Sequence, residues 1–294
     1  MRLRKEEERY ALGLITSSMI VVFGVIIIPI ITTLVYSFVN INPLSSHRGE
    51  FAGFSFYIKA LTSQAFWDDL GRTLYFTLAS TAIETFFGLL IALLLNQEFP
   101  GVRLLRAIII IPWAIPTVVN GSLWKLMLNG EYGVINAILM RLHLIDSYQS
   151  WLGNPNMAML CIVIADAWKM TPLAVIFFLA ALQGIDQTRY EAARVDGAGA
   201  FRSFLDITLP ALKPTIMVII VMRTVEKFKA FDIFYLMTRG GPANSTKTLM
   251  YDTYLQAFTN LNYSDAATYA YLIAMVVALM TLVYIRLMKR EDAV

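Results

Sequence analysis

Of 294 residues, 57% are hydrophobic and only 15% charged, with a net charge of +3 and a mean hydropathy of +0.61. Soluble domains carry about 25% charged residues, so this balance excludes an ordinary soluble domain and points to a membrane protein. The small net charge, without a dense basic block, excludes a nucleic-acid partner. The lone cysteine, Cys161, rules out a disulfide framework. His47 and His143 stand far apart with no second ligand at metal spacing, so no metal site is expected.

In chain order, Met1 to Tyr10 mixes Arg2, Arg4, Lys5 and Arg9 with three glutamates, and a long apolar run covers 11–39. A secretory signal has an h-region of about 7–15 residues and a small-residue cleavage site. This run is about twice that length and continues through Pro29, so it is expected to be a retained membrane-spanning helix. Residues 40–71 mix polar and aromatic side chains, Trp67 among them, and predict an amphipathic helix at the interface. Further spans are expected at 72–95, which contains Glu84, and at 107–127, with Pro112, Pro116 and Lys125. The next covers 157–182, interrupted by Asp166, Lys169 and Pro172, and the last two cover 211–237 and 267–288. The fold class implied is an all-α polytopic membrane protein of six transmembrane helices, one transmembrane domain over 1–294. With the N-terminus inside, thirteen Lys and Arg fall in inside segments and six in outside segments. That bias places both termini and the 185–214 connection in the cytoplasm.

That connection, IDQTRYEAARVDGAGAFRSFLDITLPALKP, is polar between two apolar runs. Asp186 suits an N-cap, its carboxylate accepting free N–H groups of a first turn. Residues 187–196 are helical in composition, Gly197 and Gly199 break the helix, and a second short helix is expected over 201–207 before Pro210. Tyr190, Ala193 and Gly197 share a face, while Arg189, Glu191 and Arg194 stay polar. Such a helix–turn–helix is too polar for lipid and too short to be a domain, so it is expected to be held by another protein.

Glu191-Ala192-Ala193, Asp196-Gly197-Ala198, Ile207, Leu209-Pro210 and Pro214 resemble the EAA loop of ABC importer permeases, the membrane subunits that work with an extracytoplasmic binding protein. One departure stands before the motif, where Asp186-Gln187-Thr188-Arg189 replaces the proline and acidic residue of many members. The resemblance implies a coupling helix seated in a groove of a cytoplasmic ATPase, through Glu191, Ala192, Ala193, Asp196, Gly197, Ala198, Leu209 and Pro210. Glu191 is then expected to make a polar contact, Ala192 and Ala193 to pack closely, and Gly197 to turn the chain. It further implies a second permease subunit of different sequence, two ATPase subunits and a solute-binding protein, in a bacterial inner membrane. ATP and Mg would lie on the ATPase subunits, with no cofactor on this chain. Phe231-Asp232-Ile233 and the stretch from Leu236 through Gly240-Gly241-Pro242 to Thr246 resemble the fifth-helix exit of the carbohydrate subgroup, the maltose and glycerol-phosphate type.

Charges inside spans cost about 2.5–3.5 kcal/mol each on insertion scales, so they face a bundle interior or water. Asp166 and Lys169, three apart, can pair on one helix face. Arg223, Glu226, Lys227, Lys229 and Asp232 follow among Val225, Phe228, Phe231 and Phe234, which form a stripe along one helix. Candidates for a solute pathway are Glu84, Asp166, Trp168, Lys169, Phe228, Phe231 and Asp232. Trp168 could stack on a sugar ring, but packing against lipid is the stronger expectation. No G-x-x-x-x-G-K-[ST] phosphate cradle, G-x-S-x-G elbow or H-E-x-x-H pair occurs. A permease for another solute, such as a polyamine or phosphate, and a stand-alone secondary carrier remain as alternatives.

Overall fold

The computed structural model describes residues 10, 12–13, 15–16, 18–43 and 46–291. The cationic segment before Tyr10 and parts of the start of the first expected span lie outside the described residues. Among the described residues, five helices are long and apolar enough to cross a membrane: α1 (Ser18–Tyr36), α3 (Gln64–Leu95), α7 (Pro155–Gln183), α9 (Ala200–Phe228) and α12 (Tyr263–Glu291), the last over its first 24 residues. Between them lie α2 (Ser55–Thr62), α4 (Val102–Ala114), α5 (Thr117–Met127), α6 (Val134–Arg141), α8 (Gln187–Val195), α10 (Asp232–Met237) and α11 (Leu249–Tyr254). Counting α4 and α5 as one bent span makes six. Among the described residues the only strand-like pairing is a single bridge, Val39 with Phe51.

The chain forms two compact units. One contains the described residues up to Gln64 together with Thr253–Leu272. There Ser264 Oγ donates to Val39 O at 2.6 Å and accepts from Ile41 N at 2.7 Å, Tyr57 OH donates to Ser37 at 2.8 Å, and Lys59 pairs with Asp265 at 2.6 Å. The other contains Ala65–Asp252 and the rest of α12. Its apolar core joins Ala92 and Leu95 of α3 to Ala174, Val175, Phe178 and Leu182 of α7 and to Leu212 and Ile219 of α9. At Gly88 an added Cβ would stand 2.6 Å from Ala174 Cβ. The absent side chain is what lets α3 and α7 approach there.

Four expected elements take a different form. The third span breaks by 93° at Ile115–Pro116, because a residue before proline is pushed out of helical geometry and Ile115 is extended. The fourth is not interrupted: α7 runs through Pro172 unbroken. Thr171 Oγ1 donates to Ala167 O at 2.7 Å one turn back, and a membrane helix tolerates proline where its neighbours hold it. The second short helix over 201–207 is not separate, and the fifth span does not cover 211–237. Helix α9 starts at Ala200 and widens into a π-turn at Phe204–Thr208, where the Leu209 N–H reaches back to Phe204 O. That extra residue per turn adjusts the backbone just before Pro210, whose ring otherwise meets the preceding turn. The helix ends at Phe228, and the chain opens at 229–231 before α10.

Candidate functional site

Charged residues scattered over α3, α7 and α9 converge on one buried cluster. Glu84 has no exposed surface and accepts from Arg223 Nε at 2.7 Å and from Lys227 Nζ at 2.5 Å. Lys227 also pairs with Asp166 of α7, and Arg223 with Glu226 one turn along α9. The Lys227 ammonium lies 5.2 Å from the centre of the Phe76 ring, a cation–π contact. Two cations and two buried carboxylates thus satisfy one another, with Glu226 half-exposed at the margin. Inside a low-dielectric bundle, removing one member leaves an uncompensated charge, so the cluster behaves as a single unit.

The expected Asp166–Lys169 pair is not formed, because Asp166 gives its carboxylate to Lys227. Lys169 is buried one turn on, within electrostatic range of Arg223 and Glu226. Beside the cluster opens a cleft of ≈ 250 Å3 bordered by Thr117, Asp166, Glu226, Lys229, Phe231 and Asp232. Phe231 stacks on Tyr251 with ring centres 6.1 Å apart. The expected aromatic stripe is not one face of one helix, since the break at 229–231 separates its members. Phe228 and Phe234 are fully buried core residues, and Phe231 alone of the phenylalanines borders the cleft. Trp168 stands outside it, edge-to-face with Trp124 at 6.1 Å and bordering an apolar groove with Phe87, Pro112 and Pro172. Sequence reasoning flagged Glu84 and Asp166 as costly charges but missed that Arg223 and Lys227 answer them. The signal was present, since α9 carries cations that its own apolar stretch cannot satisfy.

The second constellation is 185–214. Asp186 caps α8, accepting from the Thr188 N–H at 3.0 Å. The backbone and side-chain hydrogen bonds of Thr188 hold its carboxyl below the usual carboxylate range. At the other end, Gly197 N–H donates to Arg194 O at 3.1 Å and Ala198 N–H to Ala193 O at 2.8 Å. These two bonds form a Schellman cap, which needs a residue with positive φ, and Gly197 supplies it at +78°. Tyr190 OH shares a 2.8 Å hydrogen bond with Thr208, tying α8 to the start of α9. Glu191, Ala192, Asp196, Gly197 and Pro210 are exposed, while Ala193, Ala198 and Leu209 are half-buried. Ala192, Ala193, Asp196 and Pro210 border one shallow groove with Arg189 and Asp206. Sequence reasoning missed Val195 and Phe201, 88% and 75% exposed on either side of the Gly197 turn. Among the described residues, no group of three His, Cys, Asp or Glu side chains is placed to hold a metal ion.

Comparison with known proteins places this arrangement. Residues 84–292 match the family model described as "Binding-protein-dependent transport system inner membrane component". The trehalose/maltose transport system permease protein MalF of Thermococcus litoralis is 39% identical over 90% of this chain and 87% of its own length. The sulfoquinovosyl glycerol transport system permease protein SmoG of Agrobacterium fabrum is 35% identical over 96% of this chain and 91% of its own. In fold, the chain is similar to a chain from the crystal structure of a bacterial ABC transporter involved in the import of the acidic polysaccharide alginate. That match has a TM-score of 0.83 at 22% identity and covers 99% of both chains. This chain therefore belongs to the family of inner-membrane components of binding-protein-dependent transport systems.

Proposed function

We propose that this chain is one of the two permease subunits of an ABC importer for a sugar or a related solute. ATPase subunits in trans would drive it through 185–214, with both termini and that segment in the cytoplasm. The names of the relatives support the solute class: one is a trehalose/maltose permease, the other a sulfoquinovosyl glycerol permease. The observation that carries the coupling role is the pair Val195 and Phe201, apolar side chains uncovered on a polar segment. Apolar surface on a segment too polar for lipid calls for a protein partner. The Schellman turn at Gly197 lies between these two exposed residues.

In this reading, ATP closes the ATPase pair and displaces the segment. Only contacts that differ between the two ATPase states can shift the permease between inward-open and outward-open forms. Tyr190–Thr208 passes the displacement to α9, and the Glu84 cluster obliges α3 and α7 to follow α9. An extracytoplasmic binding protein would supply solute at the opposite face, and a second permease of different sequence would complete the pathway.

Reconstitution with the ATPase, the second permease and the binding protein tests this. Glu191→Lys and Gly197→Asp are expected to abolish solute uptake and solute-stimulated ATP hydrolysis while the subunit still inserts. Wild-type uptake by both variants overturns the coupling role. Uptake of trehalose or maltose is expected, and uptake of putrescine or phosphate instead overturns the solute class. Uptake by the chain alone without ATP would make it a carrier.

A further inference from the structure

Far from 185–214, at the opposite end of α7, lies a cleft of ≈ 420 Å3 that the coupling role leaves unexplained. One wall is a single face of α3. Trp67, Gly71 and Tyr75 recur at four-residue intervals and so stand in line, the two rings about 12 Å apart along the axis. Both rings are half-exposed, at 50% and 51%. Between them Gly71 leaves a floor on which an added Cβ would meet nothing within 4 Å. Arg72 flanks this face, Asn156 faces it from the first turn of α7, and Ser245 closes it from the loop after α10. The Ser245 hydroxyl is shielded from solvent and has no hydrogen-bond partner.

The polar groups are held in place from behind. Arg72 Nη1 bonds Asp69 Oδ1 at 2.6 Å, and the other oxygen of Asp69 takes Lys247 at 3.0 Å, itself 3.4 Å from Asp252. The Leu249 N–H donates to Thr73 Oγ1 at 3.0 Å. These contacts clamp the loop bearing Ser245 onto α3. Burial would depress the Lys247 ammonium, but the hydrogen bonds and charges of Asp69 and Asp252 outweigh it and hold it above the usual lysine range. An aromatic residue serving only as a membrane-interface anchor needs neither a positioned guanidinium nor an unused hydroxyl opposite it.

We propose that this cleft is a saccharide-binding site, with Trp67 and Tyr75 each offering a stacking face for a sugar ring and Arg72 and Asn156 bonding sugar hydroxyls. One face of a pyranose is a sheet of C–H bonds that suits the electron-rich face of an aromatic ring, while its rim is all donors and acceptors. The spacing of about 12 Å exceeds one glycosidic linkage, so a disaccharide engages one of the two aromatic faces and a longer chain engages both. Pockets of this kind gain orientation from a few fixed polar groups. The assignment rests on the sugar-permease reading. It adds a binding step on this chain itself, at the face away from the coupling segment.

The test uses the full chain in lipid nanodiscs and in the reconstituted complex, with maltose, trehalose and sulfoquinovosyl glycerol as probes. At least one probe is expected to change tryptophan fluorescence saturably. Trp67→Ala and Gly71→Leu should each weaken its binding by about tenfold, the size of one lost stacking contact, and Trp67→Phe should restore it. Gly71→Leu enters open space on a helix, so it keeps the fold while filling the ligand's floor. In the complex the same two variants should raise the KM for uptake. Unaltered binding and KM in Gly71→Leu overturns the site while a sugar is still transported. Sugar uptake with no probe binding to the isolated chain also overturns the site alone. Transport of no sugar by the wild-type complex overturns the functional reading beneath it.

Discussion

In the cluster joining α3, α7 and α9, the charges are inside and each of Glu84, Asp166, Arg223 and Lys227 is answered by another charge. In 185–214 the arrangement is reversed. Its charges stand in solvent, with the Arg202–Asp206 pair at 77% and 64% exposure, while Val195 and Phe201 jut outward. A buried ion network satisfied within the chain holds helices together. A solvated helix with uncovered apolar side chains is completed by something outside the chain. The first region should therefore govern whether the subunit is stable, and the second whether it is coupled.

The strongest way to break this contrast is Glu84→Ala. It leaves Arg223 with only Glu226 and Lys227 with only Asp166 in the interior and is expected to cost about 3 kcal/mol, seen as a large drop in the thermal unfolding midpoint of the purified subunit. Replacing Glu84, Asp166, Arg223 and Lys227 together by apolar residues of similar volume should recover much of that loss, because the desolvation cost leaves with the charges. Next in size is Gly88→Val. With Ala174 Cβ 2.6 Å from the new Cβ, the α3–α7 contact is overpacked by about 1–3 kcal/mol, measured by the same unfolding assay. A Gly88→Val midpoint equal to wild type would show that the two helices are free to separate.

The smallest effect belongs to Asp186. Its folded-state carboxyl is held below the ordinary range, so the cap's contribution is present above the unfolded value. It disappears as pH falls through the depressed folded value, in acid below the usual carboxylate range. Hydrogen-exchange protection of the Thr188 amide, corrected for intrinsic rate, is expected to fall on acidification in the wild type. In Asp186→Ala it should be low and independent of this titration, with the unfolding midpoint nearly unmoved. A midpoint that tracks Asp186 ionisation would move 185–214 into the same class as the buried cluster.

Local signals were read directly where a single residue type decides the backbone. Asp186 as a cap, Gly197 as the turn and the helical stretch over 187–195 all follow from chemistry within a few residues. Helix ends near proline were harder. The breaks at Ile115–Pro116 and at 229–231, and the π-turn before Pro210, depend on how neighbouring helices pin the chain on either side. Pro172 shows the converse, a proline carried within an intact helix. Trp168 and Phe228 illustrate a third difficulty: composition gives a residue's polarity, and the direction in which it points comes from packing.

The sequence by itself determined that apolar helices dominate this chain, that a polar element with a glycine turn connects two of them, and that several charges must be buried or paired. It did so because hydrophobic burial, capping and backbone freedom act over a turn or two of chain. Only the tertiary structure decided which charges pair. Arg223 and Lys227 find Glu84 across 139 and 143 residues, and Ser245 closes a cleft on α3 from the far end of the same unit. Partners so distant in sequence are chosen by which helix faces meet, and no local periodicity carries that information.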